Sequence, residues 1–524
     1  VNKTKGILGR TEEKEVKEET VELPEIVEKP PLTFKDFYPV NEPYGYVGIQ
    51  IDEETGKLQY ITIEPTMTEK ERQTLVRLKE LIRETQVPLA VLKDEAKIEE
   101  YLTDKIKRVI RVFKLKVPED SIEKFIYYMK RDFLGYGFID ILIRDSNVED
   151  ISCNGSGVPI YVWHRHYESL PTNVVYMSKE ELDSLITRLA YKTGHQISVS
   201  RPILEGTLPE GFRVHLTLEE ISKRGHTFTI RKIRANPFTI VDLIKFGTVS
   251  PHMAAYFWVL VENLRSIMVC GATASGKTAL LNSIATFIRP EMKVVTIEEV
   301  RELKLHENWI PLVTRPSFQL GVQEVTLFDL LKASLRQRPD YIIVGEVRGE
   351  EAYTLFQSIA VGHGGLCTIH ADDVEAMIKR LLTRPMNIPE MLIPMMNVIV
   401  LIGRVKRRDA IVRRVQAVSE ITGIVDASGR IGLKKLYDWD ALTDSFVYGT
   451  RSNGVMSSYI LQKISESKHT SIEELLDELQ RREAILKWMS KKDIRSYEDV
   501  ADVVRKYYLN PNDVYNTARL DTEW

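Results

Sequence analysis

The stretch SIMVCGATASGKTALLN, residues 266–282, constrains the fold of this 524-residue chain more than any other. An apolar run ending at Cys270 leads straight into G-x-x-x-x-G-K-T, and that spacing calls for a buried strand, a glycine-rich loop and a helix in succession. The backbone N–H groups of such a loop and the positive end of the following helix form a cradle for phosphate. Gly271 and Gly276 supply the turn, with Ala272, Thr273, Ala274 and Ser275 between them. Lys277 is placed to reach the β- and γ-phosphates as a point charge, Thr278 to offer its hydroxyl to Mg²⁺, and Ala279 continues into the helix. The ligand implied is ATP with Mg²⁺, and a chain built around this loop is expected to be α/β.

A phosphate loop alone does not separate a kinase from an ATPase, so the acids at neighbouring strand ends carry the next step. In DYIIVGEVRGEE, residues 340–351, Tyr341 to Val344 read as a buried strand that delivers Glu346 to its C-terminal tip, where metal and γ-phosphate would lie. Gly345 stands where many ATPases carry Asp, so the group that orients or deprotonates water has to come from another strand end. MKVVTIEEVREL, residues 292–303, offers Glu298 and Glu299 after the strand pattern Val294 to Ile297, with Glu302 shortly beyond. Glu298 is the first choice for the base. Two histidines, His363 and His370, bracket the strand-like part of GHGGLCTIHAD, residues 362–372. Neither their spacing nor the nearby Asp372 and Asp373 supports zinc.

Composition narrows the class of partner. The chain has 72 Lys+Arg against 75 Asp+Glu, which gives no global pull toward nucleic acid or anionic membrane. Cys153, Cys270 and Cys367 lie far apart, form no C-x-x-C, and point to a reducing, cytoplasmic setting. The greasiest stretch, residues 391–403, is interrupted by Pro394 and Asn397 and reads as a buried strand rather than a membrane span.

Four segments follow from pattern. Residues 1–31 are rich in Glu, Lys and Pro and are expected to be a disordered charged tail. Residues 32–118 are expected to be mostly helical, because Leu75, Val76, Leu78, Leu81 and Ile82, then Leu102, Ile106, Val109, Ile110 and Phe113, fall mostly on one helical face. Residues 119–235 begin with a third such segment and change to short β-rich runs and a helix whose start is marked by Ser178 and Glu181. The Asn-Pro of ANPFTI marks a boundary near 236, and 236–524 alternates strands and helices before ending in helical segments.

The ordered set GATASGKT, TIEEVREL, LRQRPDYIIVGEVR and GHGGLCTIHA resembles the Walker A, Asp box, Walker B and His box of the type II/IV secretion ATPase superfamily. That superfamily includes motors for type IV pilus assembly, type II secretion and the archaeal flagellum. HENWIPLVTR and LFDLLKASLRQRPDYIIVGE are most similar to its archaeal branch, and the match is strong from about 120 to 405. The resemblance implies a RecA-like ATPase domain preceded by a smaller PAS-like α/β domain and an N-terminal helical unit. It also implies a homo-hexamer that docks on a polytopic membrane platform protein at the inner face of the cell membrane and acts indirectly on pilin-like subunits. Lys277 and Thr278 take the phosphate and Mg²⁺ roles, Glu346 the Walker B role, and His363 and His370 the His-box roles. LPEGFRVH is similar to the family's L-P-D-G-[ST]-R-V, so the resemblance implies Arg213 as an arginine finger or nucleotide-closing residue, with Arg231 a second candidate and Arg201 a weaker third. Glu299 replaces the Asp usual in the Asp box, and Ala279 replaces a frequent Thr.

A competing reading is a RecA-like nucleic-acid translocase. Its basis is GRVKRRDAIVRR, which gathers Arg404, Lys406, Arg407, Arg408, Arg413 and Arg414, although no aromatic stacking pattern accompanies the run. A small-molecule kinase is disfavoured by the large preceding domains.

Overall fold

The computed structural model describes residues 34–521 except 54, 84–94, 116, 234–235, 316–322, 408–409, 425–430 and 450–455. The expected tail over 1–31, and Arg408 of the basic run, lie outside the described residues. The chain divides into two compact units, Val1–Ile233 and Arg234–Trp524.

The first unit opens in strands. β1 (Phe34–Asn41), β2 (Gly45–Ile51) and β3 (Leu58–Ile63) form an antiparallel meander, so the mostly helical expectation for 32–118 applies only from Glu69 onward. The cause is visible in FKDFYPVN and GYVGIQI, where aromatic and β-branched side chains recur in short alternation, the pattern that suits a pleated surface. The helical period then sets in with α1 (Glu69–Arg83), α2 (Glu95–Val112) and α3 (Glu119–Phe133). These three share a core of their own in which Leu78, Ile106, Phe125 and Met129 are fully buried.

After the short α4 (Asp140–Arg144) come β4 (Val148–Cys153), β5 (Pro159–His164), β6 (Glu168–Val175), α5 (Lys179–Lys192), β7 (Ile203–Thr207), β8 (Arg213–Thr217) and β9 (Thr227–Arg231). They complete a nine-stranded sheet of order β1-β2-β3-β6-β5-β4-β9-β8-β7. Ser178 caps α5 by accepting the Glu181 N–H at 3.4 Å. The helix then lays Leu182, Leu185, Ile186 and Leu189 against the sheet core.

The second unit enters through α6 (Ile240–Lys245) and α7 (Pro251–Glu262), then alternates β10 (Ile267–Gly271), α8 (Lys277–Ala285), β11 (Val294–Glu298), β12 (Trp309–Val313), α9 (Leu327–Ser334), β13 (Tyr341–Val344), α10 (Glu351–Ala360), β14 (Gly364–His370) and α11 (Val374–Leu382). Every residue of β10, β11 and β13 is buried, as continuous apolar runs in a parallel sheet covered on both faces must be. A long antiparallel extension follows: β15 (Val398–Arg407), β16 (Ala410–Ile424), β17 (Ile431–Asp440) and β18 (Ser445–Tyr448). The sheet order is β12-β11-β13-β14-β10-β15-β16-β17-β18, parallel from β12 to β15. The phosphate-loop strand β10 is thus separated from the acid-bearing β13 by β14, the arrangement of a RecA-like core. Of the greasy stretch 391–403, the part from Val398 is strand β15, as read, whereas Glu390–Met395 is a 3₁₀ turn that contains Pro394.

α12 (Tyr459–Lys468), α13 (Ile472–Lys491), α14 (Tyr497–Leu509) and α15 (Pro511–Leu520) close the unit. Their core reaches back to α7, where buried Trp258 stacks on Phe287 at 4.9 Å and lies under the Arg482 guanidinium at 5.2 Å. Among the described residues no helix is long and apolar enough to cross a membrane.

Candidate active site

Parallel register gathers the candidate residues of the second unit, His363 excepted, at one edge of its sheet. Gly271 at the end of β10 lies opposite His370 at the end of β14 and Val344 of β13 opposite Ile297 of β11; Glu298 directly follows Ile297 as the last residue of β11, and Glu346 comes one residue past the end of β13, after Gly345. This is the carboxyl edge of an open parallel sheet, where such folds place their ligands.

The loop itself is shaped by backbone demands. A Cβ on Gly271 would lie 2.2 Å from the Ile402 carbonyl oxygen and 2.7 Å from Ser275 Oγ, so no side chain fits there. Gly276 has φ +94°, which glycine adopts without steric cost, and Ala274 is held at φ +59°. Gly271→Ala is therefore expected to lower the unfolding free energy by about 3 kcal/mol, the upper end for overpacking, because the clash is with backbone that cannot rotate away. Denaturant unfolding checks this, and a variant as stable as the parent would mean the loop shifts freely.

The Lys277 ammonium folds over the loop and donates to the Ala272 carbonyl at 3.0 Å. Thr273 Oγ1 meets His370 Nε2 at 3.0 Å, which joins the loop to the tip of β14. Thr278 follows Lys277 in the first turn of α8. Ser275 Oγ and Glu298 Oε2 are both buried without a hydrogen-bond partner, a state that calls for a further group to satisfy them.

The acids occupy contrasting surroundings. Glu298 is 3% exposed, and its Oε1 accepts the N–H groups of Glu302 at 2.9 Å and Leu303 at 3.1 Å. Burial pushes its carboxyl up to about 7, against the pull of those two amides and with a further push from the Glu302 charge. Gly345 makes room for it, since a Cβ there would come within 3.3 Å of Glu298 Cγ. At Glu346 burial also opposes charge, but the hydrogen bond and charge of Arg348, aided by Lys277 and His370, hold the carboxyl below its usual range. The Val347 N–H to the Thr368 carbonyl at 2.9 Å and the Thr368 hydroxyl to the Gly345 carbonyl at 2.7 Å fasten this tip to β14.

Arg348 was not among the sequence candidates. Its two terminal nitrogens donate to Glu299 at 2.9 Å and to Glu346 at 2.8 Å, bridging the acidic turn after β11 to the acid after β13. Its place two residues beyond Glu346 was the available signal. Arg413 belongs to the basic run behind the translocase reading, but its Nε donates to the Ala274 carbonyl at 3.3 Å and its side chain passes over Gly276. In the same run Arg407 and Arg414 both pair with Asp444, at 2.5 and 2.9 Å.

His363 is not brought to this edge. It precedes β14, whose seven residues carry the chain roughly 20 Å to His370. Its Nδ1 lies 2.8 Å from the Pro339 carbonyl, at the far end of the sheet. In the first unit Arg213 and Arg231 stand directly opposite each other on β8 and β9. Two like charges in register repel, and neighbouring acids offset them: Glu205 lies 3.1 Å from Arg213 and Asp150 lies 3.9 Å from Arg231. Arg201 sits in the turn before β7 and bridges to Ser198.

Comparison with known proteins adds an independent line. A family model described as Type II/IV secretion system protein matches residues 135–479. An uncharacterized protein of Methanocaldococcus jannaschii is 35% identical over 496 residues, 90% of this chain and 88% of that protein. Among solved structures, the VirB11 ATPase of the Brucella suis type IV secretion system in complex with sulphate is 25% identical, over 53% of this chain and 93% of that one, with a TM-score of 0.28. The Legionella pneumophila ATPase DotB is 17% identical, over 68% and 91% of the two chains, with a TM-score of 0.38.

Proposed function

Because the chain belongs to the type II/IV secretion system protein family and is an ATPase of that family, we propose that it is a hexameric motor for assembling a type IV pilus-like filament or secreting protein. It would work through a polytopic membrane platform, from the cytoplasmic side and peripheral to the membrane. The observation that carries this reading is the convergence at one sheet edge of the Lys277 cation, the loop amides, an ionised Glu346 and a buried Glu298.

In this reading the loop amides and Lys277 hold the phosphates and fix the γ-phosphoryl group at the head of α8. Thr278 and Glu346 would hold Mg²⁺, which neutralises charge on the phosphate oxygens when bound. The residues fit that ion, because Glu346 is kept anionic and Thr278 brings a hydroxyl to the first turn of α8, two oxygen donors of the kind Mg²⁺ takes. Glu298 takes the proton of the attacking water, its elevated carboxyl suiting a base near neutral pH. His370 meets the loop through Thr273 and registers whether the phosphate site is filled. Arg213, with Arg231 opposite, supplies a planar cation to the transition state of a neighbouring copy. Arg348 keeps Glu299 and Glu346 at a set separation until the nucleotide arrives. The translocase reading is weakened, since much of the basic run is engaged within the chain by Asp444 and the Ala274 carbonyl.

The test is phosphate release by mixtures of Arg213→Ala and Lys277→Ala, each inactive alone. Mixed assemblies are expected to recover activity, because one intact cradle can face one intact arginine. No recovery at any ratio would remove action between copies. Stimulation by membrane vesicles rather than by DNA supports the motor, and the reverse result supports the translocase.

A further inference from the structure

We propose that Asn282 is a positioning residue that ties Glu298 to the helix bearing the phosphate loop; the proposal rests on reading Glu298 as the base. Three successive backbone N–H groups after β11 are divided between two elements. Those of Glu302 and Leu303 go to Glu298 Oε1, at 2.9 and 3.1 Å, and that of Lys304 goes to Asn282 Oδ1 at 3.1 Å. Since Glu298 Oε2 has no partner, the hydrogen bonds orienting this carboxylate come from the 302–303 amides. The position of those amides depends in turn on where Lys304 is held.

Asn282 is 2% exposed and lies on α8, which begins at Lys277. Its Nδ2 is buried without a partner. An amide so placed carries a desolvation cost that an apolar side chain of similar size would avoid, so packing does not account for it. The acceptor it presents to Lys304 does. A second tether, the Lys304 ammonium to Glu498 of α14 at 2.6 Å, has side chains 36% and 64% exposed and contributes little hold of its own. Leu303 and Leu305, buried on either side of Lys304, hold the loop in the core, and the buried Asn282 bond is its hydrogen-bonded link to α8, so any displacement of α8 on filling the cradle is passed to Glu298.

The experiment compares Asn282→Leu with the parent as full-length chains. kcat for ATP is expected to fall on the order of 10- to 100-fold, the cost of misplacing a catalytic group by about 1 Å. KM and the affinity for a fluorescent ATP analogue should stay within about twofold. Hydrogen exchange should quicken in the 302–304 amides while α8 keeps its protection. Unchanged kcat, unchanged exchange at 302–304, or loss of nucleotide affinity in step with kcat would each overturn the proposal, the last by showing that Asn282 merely supports α8. Should Asn282→Leu not fold, Asn282→Ala, which removes the acceptor without adding bulk, gives the same readings. Full activity in Glu298→Gln would remove the base reading while leaving the exchange result to stand alone, so the two failures are distinct.

Discussion

Lys277→Ala is expected to lower kcat for ATP hydrolysis by about 10²- to 10³-fold, the loss typical of removing one preorganised donor from developing charge. Two features make the effect chemical rather than structural. β10 is fixed between β14 and β15 by parallel ladders that do not involve the lysine side chain. Alanine is also the best helix former at the start of α8, so the thermal midpoint should barely move. What disappears is the ammonium now resting 3.0 Å from the Ala272 carbonyl, poised to swing onto phosphate. Phosphate release and ATP affinity should both collapse while unfolding is unaltered. Normal turnover in this variant would exclude the loop as the active site.

Glu298→Gln should cost about 10²- to 10⁴-fold, the range for a general base, and should also alter the shape of the pH profile. A base acts when deprotonated. Burial, with help from the Glu302 charge, raises the Glu298 carboxyl from 4.5 to about 7 against the pull of two amide hydrogen bonds. The proton is therefore retained well above the ordinary carboxylate range, and kcat/KM in the parent should climb as pH rises through about 7 and level off beyond it. In the glutamine variant the residual rate should lack that limb. Glu346 does not supply the limb, because Arg348, Lys277 and His370 hold its carboxyl below the usual value despite burial. A limb near 7 that survives in Glu298→Gln would assign the titration to another group, and an undiminished rate would sink the assignment of the base.

Much of this edge is legible in the sequence. A buried parallel strand is an uninterrupted apolar run, and VVTIE and YIIV announce both where such strands end and which acids sit at their tips. The meander over 34–63 was harder to see beside three strongly periodic helices. The histidines show the limit most clearly. His363 and His370 look equivalent as the two ends of one motif, yet a strand between them sends them to opposite edges of the sheet. Arg413 fails in the other direction: it lies 139 residues from Ala274 in sequence and within hydrogen-bond distance in space.

By itself the sequence determined the phosphate loop, the strand tips carrying Glu298 and Glu346, and the family, because each depends on local spacing: a turn geometry, a run of apolar residues, an ordered set of boxes. Only the tertiary structure decided that Arg348 bridges two acidic turns, that Asn282 holds the amide next to those on Glu298, and that His363 stands apart. Strand order and register settle those questions, and they are properties of how distant segments pair. Burial followed from the same pairing, and it is burial that raised Glu298 to about 7 while leaving Glu346 to the charges around it.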